Sequence, residues 1–413
     1  MLGVALLVLG LFVGVLGLAT GSPLLLRVSY ILLAAVAVAR VLTWASVRWL
    51  SVQRTTRSRR AEVGGVCEET FRLTNRGWLP KLWIEVRDES DLPGHRASRV
   101  VSALAPGASR TWSVRSTCVQ RGQFTLGPLT LVGGDPLGLF QAVRHLDATQ
   151  TFTVYPRMVP LAAIDLPTGY LTGGQVIRRR AQFATTNVRS VRAYQPGDAL
   201  SRIHWPTTAR RRQMFTKEFE LDPIADFWLV VDLDRDVHVG AAPERGPDLA
   251  AWVERDEPLP PTTEEYAITA AASLARHFLD AGRAVGLVAY GQRRVVHRPD
   301  RGERQLHKIL ASLAVLRAAG RTGLSQVLST ENAEFTRHTT LVLITPATTL
   351  RWTESARGLA SRGVRTMAVL VEPSTFGAAG SSLGVVAELA AMGVPTRLVK
   401  NGDDLAKALG GSR

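Results

Sequence analysis

Phe227-Trp228-Leu229-Val230-Val231-Asp232 is an unbroken apolar run that ends in an acid. A strand with one solvated face alternates polar and apolar residues. A strand covered on both faces, as in a parallel sheet between helix layers, does not alternate, and this run is of the second kind. Downstream, Thr262-Thr263-Glu264-Glu265 has the spacing of a capping box. Ile268, Ala271, Leu274, Ala275 and Phe278 then share one face of the helix it opens. Residues 284–290 form the next apolar strand, and Leu306, Ile309, Leu310, Leu313 and Leu316 mark a second amphipathic helix. Residues 341–344, 366–371 and 395–399 are further strands. The alternation predicts an α/β doubly wound open sheet over residues 223–413. Ligands of such sheets bind outside the carboxyl ends of the strands, where Asp232 stands.

The other end of the chain is apolar in a different way. Residues 2–20 contain no charge and reach the ~20 residues that span a bilayer. Gly21-Ser22-Pro23 breaks that helix. A second apolar stretch covers 24–47, with Arg27 near its start and Arg40 close enough to the Arg48 boundary to snorkel. Tyr30 on one side, and Trp44 and Trp49 on the other, suit interfacial positions. A cleaved signal peptide has a basic leader, and residues 1–10 carry no Lys or Arg. A buried soluble hairpin has a polar stripe, which residues 2–19 lack. These features predict an N-terminal two-helix transmembrane hairpin. Arg48, Arg54, Arg57, Arg59 and Arg60 follow the second span, against Arg27 near the connecting turn. The positive-inside rule therefore predicts a two-pass protein of the cell membrane, with both termini and the bulk of the chain cytoplasmic. Residues 1–60 read as one segment, whose basic run 54–60 is expected to touch anionic headgroups of the bilayer.

The formal charge of the 413 residues is +15, and it is uneven. Residues 1–60 hold seven Arg and no acid; residues 175–220 hold ten Arg or Lys against Asp198, Glu218 and Glu220. The remainder is close to neutral, which excludes a general polyanion-binding surface. Cys67 and Cys118 are too few for a disulfide framework and are expected to be buried, reduced thiols.

Residues 61–160 change to short alternating runs at 71–74, 82–86, 112–114, 124–126, 129–132 and 151–155, separated by turn signals such as Ala105-Pro106-Gly107. This spacing predicts a β-sandwich-like domain, with nothing catalytic in it. Asp135-Pro136-Leu137-Gly138-Leu139-Phe140 reads either as a sandwich corner or as a packing joint between domains.

Residues 161–222 are the basic segment. Arg189 and Arg192 precede Tyr194, and Gln195-Pro196-Gly197-Asp198 is a strong turn. Arg202-Ile203-His204-Trp205-Pro206-Thr207-Thr208-Ala209-Arg210 follows, with Trp205 expected to be extended because Pro206 follows it. Residues 214–221 alternate like a strand. In Tyr194, Gly197, Asp198, Arg202, Ile203, Trp205, Thr208, Ala209 and Arg210 this stretch resembles the bacterial domain of unknown function 58 family. The upstream 135–140 sequence, Tyr155-Pro156 and the two-span N-terminus also look like that family.

The resemblance implies a von Willebrand factor A-like α/β domain and no enzymatic activity. It implies a MoxR-type AAA+ ATPase as partner, since members are commonly encoded beside such ATPases and beside transglutaminase-like membrane proteins, and are thought to assist in assembling or maturing other proteins. The resulting expectation is a membrane-anchored, non-catalytic scaffold or adaptor. Arg189, Arg192, Tyr194, Gly197, Asp198, Arg202, Trp205 and Arg210 are its signature, either as an internal ion-pair and stacking network or as a partner-binding surface. Nucleic acid is not an expected partner, because no recognition fold accompanies the charge.

Von Willebrand factor A domains hold Mg²⁺ with Asp-x-Ser-x-Ser at the end of the first strand, and here the loop reads Asp232-Leu233-Asp234-Arg235-Asp236. Asp234 and Asp236 replace both serines, and Ile344-Thr345-Pro346 stands where metal-binding members usually have Asp-Gly. Three carboxylates attract a hard cation by charge; the other reading is a degenerate site with its acids paired or solvated. A metal-dependent adhesion module is therefore the alternative function, with no other cofactor expected. A hydrolase is the distant third. Gly380-Ser381-Ser382-Leu383-Gly384 fits a nucleophile elbow, but a triad His follows such an elbow and the last His is His338. The stretch is expected to be a helix N-cap. No phosphate-binding Gly-x-x-x-x-Gly-Lys-Ser/Thr occurs, and no small-molecule substrate is indicated.

Overall fold

Two apolar helices open the chain, α1 (Leu2–Thr20) and α2 (Pro23–Ser46), each long and apolar enough to cross a membrane. Helices that are apolar all round have little hydrophobic reason to pair, so close approach holds them. The buried residues of α1 are Gly3, Gly10 and Gly17. A Cβ on Gly10 would lie 3.2 Å from Leu33, and one on Gly14 would lie 2.7 Å from Ser29 Oγ. In the room left by these glycines, Ser29 Oγ donates to the Gly10 carbonyl at 2.8 Å.

The computed structural model describes residues 2–161, 164, 188–195, 203–219, 226–240, 259–337, 339–377 and 379–410. The chain divides into two units. The first is Met1–Met158 with Ala241–Ala272 and Leu310–Leu316; the second is Val159–Gly240, Ser273–Ile309 and Arg317–Arg413.

In the first unit α2 gives way to ten strands: β1 (Leu50–Thr56), β2 (Arg60–Glu62), β3 (Val66–Asn75), β4 (Lys81–Asp88), β5 (Arg99–Leu104), β6 (Ser109–Thr117), β7 (Gly122–Leu126), β8 (Leu129–Gly134), β9 (Gln141–Leu146) and β10 (Gln150–Tyr155). They form sheets in the orders β1-β3-β6, β5-β4-β8-β9 and β2-β10-β7. Phe71, Leu73 and Trp112 from the first sheet share a core with Ile84, Val86, Leu129 and Leu131 from the second. Every strand expected in this region is present. Cys67 and Cys118 are free and buried among Phe124, Leu126, Phe152 and Val154. Burial pushes the thiols up to about 12 and about 11, so neither is a thiolate at neutral pH.

One boundary is corrected. The β-rich region begins at residue 50, not 61, and Arg54 is not a headgroup contact. The β1–β3 register sets Arg54 opposite Phe71, where its side chain is 4% exposed. Its Nε lies 3.0 Å from Glu69 Oε1, and its Nη2 lies 2.5 Å from Asp88 Oδ1. His95 completes this buried group, with Nε2 2.9 Å from Asp88 Oδ2 and 3.1 Å from Glu69 Oε2. Arg57, further along the basic run, pairs with Glu68 at 2.9 Å.

The end of α2 is tied into the β strands. Lys81 of β4 is buried and donates its Nζ to the Ala45 carbonyl. Desolvation lowers the Lys81 pKa. Arg144 of β9 reaches the carbonyls of Val47 and Leu50 at 3.4 and 3.3 Å. Asp135 accepts from the backbone N–H of Leu137, Leu139 and Phe140 at 2.9, 3.2 and 2.7 Å, and from Thr43 Oγ1 of α2 at 3.3 Å. The 135–140 turn is therefore a joint between the apolar helices and the strands. Its Phe140 also lies so close to Gly3 of α1 that a Cβ there would sit 2.4 Å from the ring.

The second unit holds the hairpin β11 (Val188–Ala193) and β12 (Phe215–Phe219), with α3 (Trp205–Arg211) between them. It also holds a mixed sheet of β13 (Asp226–Val231), β14 (Val285–Tyr290), β15 (Arg294–Asp300), β16 (Thr339–Thr345), β17 (Arg365–Val371) and β18 (Thr396–Val399), in the order β15-β14-β13-β16-β17-β18. All neighbours are parallel except β14 and β15. The expected parallel strands are found; β15 was not legible, because it is a polar edge strand that tolerates Pro299.

The helices of this region are α4 (Thr263–Asp280), α5 (Glu303–Val315), α6 (Leu324–Thr330), α7 (Arg351–Ser361), α8 (Leu383–Ala391) and α9 (Leu405–Leu409). Trp228, Val230, Leu341, Leu343, Ala368 and Leu370 pack with Leu324 and Leu328 of α6, Trp352 and Leu359 of α7, and Val385 of α8. On the other face Phe227 stacks on Phe278 of α4, with ring centroids 4.2 Å apart. The expected cap is present: Thr262 Oγ1 accepts from the Glu265 N–H at 3.2 Å.

Burial opposes the His95 imidazolium, but Asp88 and Glu69 raise its pKa from 6.5 to about 9. The stabilisation is complete below 6.5 and is lost as pH rises through about 9. Melting of the full chain should therefore fall across that window. His95→Gln should flatten this slope and destabilise by roughly 3–5 kcal/mol, since it leaves buried charge unpaired. A variant that keeps the wild-type slope would show that another group is responsible.

Candidate functional site at the carboxyl ends of the mixed sheet

The order of the sheet reverses between β13 and β16. The chain leaves β13 toward β14 on one side and later returns to β16 on the other. Such a switch point opens a crevice outside the strand ends. Asp232 follows β13 there and is 1% exposed. Thr345, the last residue of β16, donates to Asp232 Oδ2 at 2.7 Å, and the Asp234 N–H donates to Oδ1 at 3.2 Å. Thr345 is oriented in turn by the Ala347 N–H, 2.9 Å from its Oγ1. His238 Nε2 lies 2.9 Å from the Asp232 carbonyl oxygen. Burial pushes the Asp232 carboxyl up to about 6 despite the hydrogen bond from Thr345.

The loop beyond is braced by Gly320, whose N–H donates to the Leu233 carbonyl at 3.0 Å. A Cβ on Gly320 would lie 2.2 Å from the Tyr290 carbonyl, so only glycine allows this approach. Asp234 accepts from the Asp236 N–H at 3.2 Å. Asp236 is exposed and pairs with Arg235 at 3.3 Å.

These contacts test the loop as a Mg²⁺ site. Both oxygens of Asp232 are engaged, and the remaining carboxylates are tied to their own loop. Among the described residues, the ligand atoms that converge within 4.8 Å are those of Glu69, Asp88 and His95, not of the three aspartates. As arranged, the ligand atoms of Asp232, Asp234 and Asp236 do not all lie within 4.8 Å of one another. At Glu69 and Asp88 the positive charge is already supplied by Arg54 and His95. The sequence reading passed over this group because its members come from β3, β4 and a loop. The available signal was an acid, Glu69, at an inward position of the β3 alternation between Cys67 and Phe71.

The signature residues are distributed as follows. Tyr194 is half-buried and its N–H donates to the Met214 carbonyl at 2.8 Å. Arg189 and Arg192 lie on β11, Arg189 at the register shift between Val188 and Ser190. Gly197, Asp198 and Arg202 lie outside the described residues. Trp205 is not extended. It is the first residue of α3, where Pro206 costs no hydrogen bond, and His204 caps the helix by accepting from the Thr207 N–H at 3.3 Å. Trp205 is 66% exposed, and Arg210 is exposed in the last turn of the same helix. Within 380–384, Ser382 is buried and donates its hydroxyl to the Glu372 carboxylate at the start of α8, which is not the geometry of an exposed nucleophile.

The family described as Protein of unknown function DUF58 matches residues 190–254 of this chain. The chain is similar to the Bacillus subtilis (strain 168) protein named Uncharacterized protein YeaD, at 26% identity over 210 residues, which is 50% of this chain and 46% of that protein. The match thus spans about half the length of that relative. Among solved structures, the CARDB domain of the PF1109 protein from Pyrococcus furiosus aligns over 25% of this chain and 91% of its own, at 19% identity and a TM-score of 0.19. Proximal thread matrix protein 1 from the mussel byssus aligns over 45% of this chain and 46% of its own, at 14% identity and a TM-score of 0.31.

A carboxyl raised from 3.8 to about 6 favours folding below 3.8 and loses that advantage as pH rises through about 6. The melting temperature of the wild type should therefore drop relative to Asp232→Asn across this window. Millimolar Mg²⁺ should leave both unchanged. A rise with Mg²⁺ in the wild type alone would restore the metal reading.

Proposed function

We propose that this protein is a membrane-anchored, non-catalytic adaptor whose α/β region is von Willebrand factor A-like and presents a surface to a cytoplasmic partner, a MoxR-type AAA+ ATPase. The observation that carries the reading is the sheet order, with Asp232 and Thr345 hydrogen-bonded to each other at its switch point. A switch point is where such sheets bind. Here its buried acid is committed to holding the strand ends together rather than to a substrate. The exposed Trp205 and Arg210 on α3 support a protein surface, since Trp and Arg are the residues that most often carry binding energy at interfaces. The two apolar helices support an anchor, and the excess of Arg after α2 supports cytoplasmic termini. A metal-dependent adhesion module would need the three aspartates to converge, and their ligand atoms do not gather within 4.8 Å of one another.

Two measurements test the proposal. Protease treatment of intact cells should spare the chain, whereas inside-out vesicles should lose everything beyond α2; the reverse pattern would invert the topology. Tagged full-length protein crosslinked in native membranes should co-purify with a AAA+ ATPase. Recovery should fall about tenfold or more in Trp205→Ala and Arg210→Ala, a loss typical of a hot-spot residue, and should persist in Asp232→Ala. Recovery of envelope proteins alone would remove the ATPase from the proposal.

A further inference from the structure

Several arginines of the β-rich region have acids beside them. Arg54 meets Glu69 and Asp88, Arg57 and Arg115 meet Glu68, and Arg87 meets Glu85. Four other arginines have no acid beside them among the described residues, and they converge. A cleft of about 920 Å³ where α2 ends is lined by Arg40, Arg48, Arg76 and Arg144, together with Trp44 and Trp49. No acid lines it. Among the described residues none of the four guanidinium groups has a carboxylate partner. Like charges gathered in one concavity repel, so this arrangement suits a site that an anion completes.

The cleft is built from the protein's own framework. Arg144 is aimed by its bonds to the carbonyls of Val47 and Leu50. The Arg48 guanidinium lies 4.5 Å over the Trp44 ring, and Trp44 meets Trp49 edge-on at 5.6 Å. Trp49 adopts φ 55°, a left-handed conformation that is strained for a bulky side chain. Strain of this kind persists where surrounding structure enforces it, and it clusters at ligand sites. Arg76, whose backbone N–H donates to the Trp49 carbonyl at 2.8 Å, lines the same cleft.

We propose that this cleft binds a phosphate-bearing anion, and that its source is the headgroup of an anionic phospholipid. Guanidinium forks pair with phosphate oxygens two at a time. Trp44 and Trp49 lie at the end of an apolar helix, at the level where indole rings sit in a membrane interface. Basic pockets beside membrane helices take up acidic headgroups by this chemistry. The proposal rests on the reading of α1 and α2 as a membrane anchor, and it adds what the anchor recognises.

The test uses the full chain purified in mild detergent and titrated with phosphatidylglycerol, phosphatidylcholine or inorganic phosphate, with bound lipid counted by native mass spectrometry. The comparison is Arg48→Gln/Arg76→Gln, two side chains that make no hydrogen bond among the described residues; its melting temperature checks the fold. Wild type should retain phosphatidylglycerol over phosphatidylcholine, and the double variant should bind it about tenfold or more weakly, as expected for lost charge-assisted bonds. Arg76→Lys keeps the charge without the fork and should fall between them. Inorganic phosphate that binds as tightly as the lipid, and is lost in the same variant, would keep the site but assign it to a soluble anion. Equal retention of the two lipids without phosphate binding, or wild-type binding by the double variant, would overturn the proposal. Alkaline extraction of native membranes tests the anchor separately. Release of the chain would remove the anchor reading while the detergent titration still reports on the cleft.

Discussion

The first unit depends on how α2 ends. The last carbonyls of a helix lack intrahelical partners, and a helix that ends against packed protein must find donors for them. Here the donors are cations from the strands. Lys81 meets the Ala45 carbonyl, and Arg144 meets those of Val47 and Leu50 just beyond. Positive charge at this end also complements the helix dipole. Asp135 works from the other side, collecting three backbone N–H groups of its own turn and the Thr43 hydroxyl. These hydrogen bonds keep the Asp135 carboxyl below the usual range although desolvation opposes them. The turn at 135–140 is thereby fixed as a joint, and α2 is held against β4, β8 and β9 rather than hinged on a linker.

That joint has an electrostatic consequence. It brings the arginines at the end of α2 beside those of β9 and the β3–β4 connection, without acids between them. Elsewhere in the same unit the fold sets Glu69 and Asp88 against the buried cations Arg54 and His95. One group is internally neutralised and rigid, whereas the cleft is positively charged and open. The difference distinguishes a structural use of arginine from a ligand-binding one.

In the second unit the corresponding economy concerns Asp232. A carboxyl fully removed from water at the switch point of an α/β sheet is costly. The fold retains it by spending its two oxygens on Thr345 and the Asp234 N–H. The outcome is a stiff strand-end platform, with Asp236 facing solvent beside Arg235.

The amino-acid sequence by itself determined the two apolar helices, six strands of the β-rich region and the parallel strands of the mixed sheet. Their periodicities and apolar runs are local properties of the chain. It also carried the resemblance to the DUF58 family, through nine residues between Tyr194 and Arg210. Polar edge strands such as β1 and β15 lack the alternation that would reveal them. The fate of Arg54 was decided only by the β1–β3 register, because a cation shortly after an apolar helix looks the same in sequence whether it meets a headgroup or a buried acid. The conformation of Trp205 was decided by His204 and Thr207, which cap a helix where the following proline alone favours extension. The cleft of Arg40, Arg48, Arg76 and Arg144 belongs wholly to the tertiary structure. Its members come from separate parts of the chain, and only strand pairing and the capped end of α2 set them around one space.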